Sequence, residues 1–240
     1  MKRCIINFAN SNGPIGYIMG QKRLEDSLKA VNFDGDVFIF KNENEIGCSP
    51  HKDVPYGFKA FAFKSVIEKG YDSILWCDSS VWAIKPLDGI FNEIETNGYC
   101  MFHNCNTGPF SSDASLQSFG ITREEAFQIP MLMGCCFGLN MTTNICKEFY
   151  NRFFEKANDG ITFQGSWTNK NNEISNDSRV YGHRHDQTAS SIIAHQLGMK
   201  FITPHLTYFQ YYQNPTNESY EKNPNMSMIY TNVLLLAQGM

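Results

Sequence analysis

Asp78, Ser79 and Ser80 close the short apolar run Ser73 to Cys77. A run of that length fills a strand covered on both faces. A carboxylate followed by two hydroxyls at its carboxyl end stands where open α/β sheets hold ligands. The group suits a hard cation, because Mg²⁺ or Mn²⁺ takes one or two protein carboxylates and completes its shell with substrate phosphate oxygens. The competing reading is a turn, since Asp and Ser also cap turns. A second polar cluster, His183-Arg184-His185-Asp186-Gln187, opens a helical stretch. Asp186 is an N-cap by position. It is also the best placed carboxylate of the second half of the chain for orienting a hydroxyl or taking its proton.

The elements that must position these groups can be read from periodicity. A strand over 3–8, a polar glycine-bearing loop over 10–16, a helix over 19–31 and a strand over 36–40 begin a parallel α/β sheet. Residues 56–69 have Phe58, Phe61, Ala62, Val66 and Ile67 at helical spacing, with Gly70 as the stop. The strand ending at Asp78 follows directly. A short helix over 86–95, a strand over 99–102 and a turn-rich, mobile stretch over 104–115 come next. Thr122 with Glu125 has the spacing of a capping box. Residues 131–141 read as a strand interrupted by Gly134 and Gly138, where glycine marks a close approach or a bulge. An amphipathic helix over 144–157, an exposed Asn-rich loop over 167–179, a helix over 186–197 and a last strand over 200–203 complete the body. The tail is polar over 214–225 and apolar again over 228–237, which predicts an end docked on the body or in a subunit contact.

The chain has 240 residues, 42% of them hydrophobic and 18% charged, which are globular values with length enough for a substantial core. A net charge of −4 with no basic run argues against nucleic acid as the partner. No signal peptide and no membrane-length apolar stretch is visible, so the reading is a soluble, cytoplasmic protein. The eight cysteines form no zinc-type pair and read as buried free thiols. There is no internal repeat and no linker that would split two domains.

Four segments together resemble a known family: INFAN at Ile6 to Asn10, YGFKAFAFK at Tyr56 to Lys64, LWCDSS at Leu75 to Ser80, and GHRHDQ at Gly182 to Gln187. Their order is similar to that of nucleotide-sugar glycosyltransferases of the GT-A fold, more narrowly the small soluble enzymes of chlorella viruses and their bacterial relatives. The resemblance covers residues 2–212. It implies an α/β, single-domain GT-A fold over 1–212, with a central, mostly parallel mixed sheet flanked by helices and a C-terminal extension over 213–240. If the source is viral, it implies a place in the host cytoplasm. The usual DxD motif of the family departs here, with Ser80 in place of the second carboxylate.

The same resemblance implies the roles of the site residues. A nucleoside diphosphate sugar, a UDP-sugar first among them, would give its sugar to a glycan or other hydroxyl acceptor with Mn²⁺ or Mg²⁺ assisting. Asp78 and Ser80 would hold the cation, with His205 after the last strand as a further ligand; His183 and His185 are its rivals. Lys59, with Lys64 as the alternative, would face the ribose or diphosphate. Asn7, Phe8, Ala9 and Asn10 would meet a uracil edge with Tyr17 stacking, and Ser79 would join the nucleotide site. Asn10 and Asn12 also suit a plain turn. Asp186 would be a base in an inverting enzyme, whereas in a retaining one it and Gln187 would line the face from which the acceptor arrives. Trp82, Trp167 and Tyr181 are candidate sugar-stacking surfaces, or core. Two other functions compete. A sugar nucleotidyltransferase would want a basic residue in the loop over 10–16, which has none. A sugar- or nucleotide-binding module that has lost catalysis would fit the serine at position 80.

Overall fold

A computed structural model describes residues 1–202, 208–211 and 232–238. Alternation explains how one strand builds both halves of the core. In β3 (Ser73–Cys77) every residue is buried, and Ile74 and Trp76 join the cluster on one face while Leu75 and Cys77 join the other. β1 (Arg3–Phe8) divides the same way, with Cys4, Ile6 and Phe8 on the first face and Ile5 on the second. The five-stranded sheet has the order β2-β1-β3-β6-β5, completed by β2 (Asp36–Phe40), β5 (Tyr99–Asn106) and β6 (Pro130–Asn140). β1 is parallel to β2 and β3, and β6 is antiparallel to both β3 and β5. Only β6 therefore opposes the common direction, which makes the sheet mostly parallel and mixed, as expected.

Helices cover both faces. α2 (Phe58–Ile67), α6 (Asn144–Asn158) and α7 (His185–Gln196) bury Phe63, Val66, Phe149, Phe153 and Ile193 against the first. α1 (Ile15–Ala30) and α3 (Asp88–Asn97) bury Leu24, Leu28, Ile90, Phe91 and Ile94 against the second. The two β6 glycines let helices come close. A Cβ on Gly138 would lie 2.3 Å from Ile94 Cδ1, and one on Gly134 would meet Gln187 Cβ at 3.3 Å and Asp186 Oδ2 at 3.4 Å. Both approaches are made by the chain's own side chains.

Some local expectations need correction. The stretch over 104–115 continues β5 to Asn106 and then begins α4 (Asp113–Phe119), whose N-cap Ser112 accepts a hydrogen bond from the Ser115 N–H. The strand expected over 200–203 is a single bridge, Ile202 to Phe102, with Thr203 outside the described residues. The capping box forms as predicted, at the start of α5 (Arg123–Gln128). Three short strands carried no signal of their own length. β4 (Val81–Ala83), β7 (Phe209–Tyr211) and β8 (Leu235–Ala237) form a second sheet in the order β4-β8-β7, so the apolar tail end pairs with the strand just after Asp78.

Candidate active site

β1 and β3 are parallel neighbours, so Phe8 and Asp78 leave the sheet at the same edge. There they border a cleft of about 500 Å³. Ala9, Asn10 and Tyr17 line one side and Asp78, Ser79 and Ser80 the other. Asp78 both makes the turn and faces the cleft. Its N–H donates to the Cys135 carbonyl at 2.8 Å and its carbonyl accepts from Val81 at 2.9 Å, while its carboxylate remains 31% exposed. Oδ1 accepts from the Trp76 indole at 2.6 Å. The Ser80 carbonyl accepts from Arg23 Nη2 at 2.9 Å and from the Gln238 N–H at 3.1 Å, which fixes the turn against α1 and the tail.

Lys59, in the first turn of α2, is 2% exposed. Its Nζ lies 2.7 Å from Asp186 Oδ2, 2.7 Å from the Gly134 carbonyl and 3.3 Å from Asp78 Oδ1. An ammonium has three protons to donate, and these three acceptors take them. The sequence suggested that Lys59 reaches a ribose or diphosphate; in the structure its ammonium bridges Asp78 and Asp186. Burial alone would push the Lys59 ammonium down, but the carboxylates of Asp186 and Asp78 outweigh it and hold its pKa above the usual lysine value. Burial pushes the Asp186 carboxyl up, against the opposing pull of Lys59. Lys64 faces away from this cluster, paired with Glu68 on the helix surface.

The other predicted residues divide between wall and scaffold. Asn7 is fully buried, donating to the Cys77 carbonyl at 2.7 Å and to Ser79 Oγ at 3.3 Å while accepting from Gln21 at 2.8 Å. It sits behind the cleft wall, a brace between β1 and β3. Asn10 shapes the turn, accepting from the Asn12 N–H at 2.9 Å, and also faces the cleft with its amide on Glu43 Oε2 at 2.8 Å. Phe8 stacks on Phe58 at 4.4 Å. Gln187 donates to the Leu132 carbonyl at 2.6 Å, which ties α7 to β6. His183 accepts from the Ser112 N–H at Nδ1 (3.2 Å), so Nε2 donates to the Thr162 carbonyl (2.9 Å) and the ring is neutral. Burial pushes its pKa down to about 4, and that of His185, on the Phe163 carbonyl, to about 3. Both histidines brace the loop before α7. His205 lies outside the described residues.

Glu43, His51, Tyr56, Phe58 and Gln238 also line the cleft, and periodicity pointed to none of them as site residues. Glu43, His51 and Tyr56 come from the connection between β2 and α2, and Gln238 from the tail. Tyr56 has a φ of +60°, uncommon for a bulky side chain, and burial first, then Asp186, pushes its phenol up to about 12. Among the described residues no three His, Cys, Asp or Glu side chains converge on a cation position. Among the described residues no lysine or arginine lines the cleft, whereas Asp78 and Glu43 do. This donor set fits a cation that arrives with phosphate oxygens and takes one carboxylate from the protein.

Solved structures match nearly the whole chain, the following three among them. A glycosyltransferase involved in glycosylation of the major capsid of PBCV-1 matches with a TM-score of 0.55 at 12% identity, over 99% of this chain and 93% of that one. The fold is that of the GT-A glycosyltransferases. The bifunctional glycosyltransferase WbbM matches at TM-score 0.54 and 8% identity, over 98% of this chain and 45% of that one. Mouse xyloside xylosyltransferase 1 matches this GT-A chain at TM-score 0.51 and 9% identity, over 98% and 96% of the two chains. No protein-family model and no curated protein sequence matches it.

Proposed function

We propose that this protein transfers a sugar from a nucleoside diphosphate sugar, a UDP-sugar first among them, to a hydroxyl of a glycan or other acceptor. The observation that carries the reading is the carboxylate of Asp78, held by Lys59 and Trp76 at the mouth of a cleft that no lysine or arginine among the described residues lines. A diphosphate entering that cleft meets Asp78 and Glu43, so its charge requires a cation between them. Mn²⁺ or Mg²⁺ held by Asp78, Ser80 and His205 would stabilise the negative charge that develops on the departing diphosphate.

In this reading the chain's own groups bind and position. Phe8, Ala9, Asn10 and Tyr17 receive the base, with Asn7 fixing that wall from behind and Ser79 lining the facing side of the nucleotide site. Lys59 and Asp186 keep Asp78 in place. Asp186, buried and paired with Lys59, serves as a positioning residue at the foot of α7 rather than as a free base, and Gln187 anchors α7 to β6. Residues 1–212 form the transferase body, and the extension over 213–240 contributes Gln238 to the cleft. The eight free cysteines support a reducing compartment such as the cytoplasm.

The test is release of nucleoside diphosphate from a panel of nucleotide sugars with Mn²⁺ present. Asp78→Ala is expected to lower turnover by roughly 10²- to 10³-fold while circular dichroism shows the fold intact. Turnover equal to the parent's would refute the assignment. The same mixtures supplied with a nucleoside triphosphate and a sugar phosphate release pyrophosphate only from a nucleotidyltransferase. A binding module without catalysis would release neither product.

A further inference from the structure

The connection between α6 and α7 carries two exposed aromatic side chains, Trp167 at 48% and Tyr181 at 66%. The backbone beneath them is fixed. The Asn169 N–H donates to the Tyr181 carbonyl at 2.9 Å and the His183 N–H to the Ser166 carbonyl at 3.0 Å, pairing the two sides of the loop. The Asn169 amide donates inward to the Ser175 carbonyl at 2.9 Å. Gly182 lies so close to Trp167 that a Cβ there would stand 1.9 Å from the Trp167 carbonyl oxygen. The Arg184 guanidinium lies 3.7 Å from the Trp167 ring centroid and its Nη1 donates to the Trp167 carbonyl at 2.7 Å.

These rings continue from the cleft. Tyr56, part of the cleft wall, is 6.0 Å from Trp167. On the outer side Arg184 stands 5.0 Å over Phe110, and Phe110 is 5.9 Å from Tyr181. Among the described residues no carboxylate pairs with Arg184. Aromatic rings that adjoin one another on a hydrogen-bonded loop beside a cleft make a contiguous exposed patch, which suits a ligand. A sugar offers C–H faces to such rings and hydroxyls to a guanidinium. A nucleic acid strand, the other frequent occupant of exposed rings, is disfavoured by the net charge of −4 and by Asp78 and Glu43 in the adjoining cleft.

We propose that Tyr56, Trp167, Arg184, Phe110 and Tyr181 form the acceptor subsite, and that the acceptor is a glycan of at least two sugar rings. This rests on the transferase reading above. The inner ring sits at Tyr56 and Trp167, with its hydroxyl at the cleft, and the next ring extends towards Tyr181.

The chain has three tryptophans, Trp76, Trp82 and Trp167, so 5-fluorotryptophan labelling gives three fluorine resonances, with Trp167 assigned by Trp167→Phe. The protein is first saturated with UDP and Mn²⁺, then titrated with cello-, malto-, xylo- and chito-oligosaccharides of increasing length. The expected result is a shift of the Trp167 resonance by one series, with affinity rising about tenfold from one ring to two. Tyr181→Ala, at a side chain too exposed to carry the fold, is expected to remove that rise. A Trp167 resonance that stays in place through all four series, or equal affinity for one ring and two, would overturn the proposal. Trp76, whose indole bonds to Asp78, reports separately on the cleft. Failure of UDP and Mn²⁺ to move it would count against the transferase reading rather than against the acceptor subsite.

Discussion

All three ammonium protons of Lys59 are taken by the protein, and that decides what its loss would do. Removing it leaves the Asp186 carboxylate, 7% exposed, without a counter-ion. Lys59→Met is expected to cost about 3–5 kcal/mol in urea unfolding, and Lys59→Met with Asp186→Leu to recover most of it. A single variant as stable as the parent would contradict the ion pair. His183 and His185 set a second expectation at this scale. Their folded pKa values of about 4 and about 3 lie below the unfolded value near 6.5. The unfolded chain therefore takes up protons first as pH falls below 6.5, and stability drops from there towards the folded values, by about 1.4 kcal/mol per pH unit for each ring. Urea midpoints measured from pH 7 to pH 4 should fall over that range; a flat or rising profile would be contrary. The sequence showed Asp78, Lys59 and Asp186 as separate candidates. It could not show that Lys59 joins the other two, because the contact depends on how α2 and α7 meet β6. Glu43, His51 and Tyr56 were hidden for a related reason: loop residues carry no period.

Among the elements, those with local rules were legible. Thr122 and Glu125 announce α5 because both halves of a capping box lie within one turn, and Thr122→Ala is expected to cost about 1 kcal/mol in denaturant unfolding. The central strand was legible because five buried residues in a row leave few alternatives. β4, β7 and β8 were not, since three residues show no alternation and their partners are distant in the chain. Of the two readings left open for Gly138, a close approach or a bulge, the structure shows a close approach, by Ile94 of α3. Gly138→Ala should therefore lower thermal stability, with a loss of about 1–3 kcal/mol from overpacking. An unchanged midpoint would mean that Ile94 leaves room for a methyl group at Gly138, contrary to the close approach seen.

For the whole molecule, the tail completes what the body begins. Leu236 is fully buried beside Trp82 and Val233, and β8 pairs with the strand that follows Asp78. Leu236→Ala should cost about 2–5 kcal/mol in unfolding free energy. No helix among the described residues is long and apolar enough to cross a membrane. The architecture was legible from the order of its strands and helices, while the cleft arises only when β1, β3, the β2–α2 connection and the tail come together. What the whole depends on is that a nucleoside diphosphate and a divalent cation bind jointly at Asp78. Calorimetric titration of UDP into the parent protein and Asp78→Asn, each with and without Mn²⁺, measures this directly. Binding that needs Mn²⁺ in the parent and is lost in the variant is predicted; UDP bound equally well by both proteins, or without regard to Mn²⁺, would contradict it.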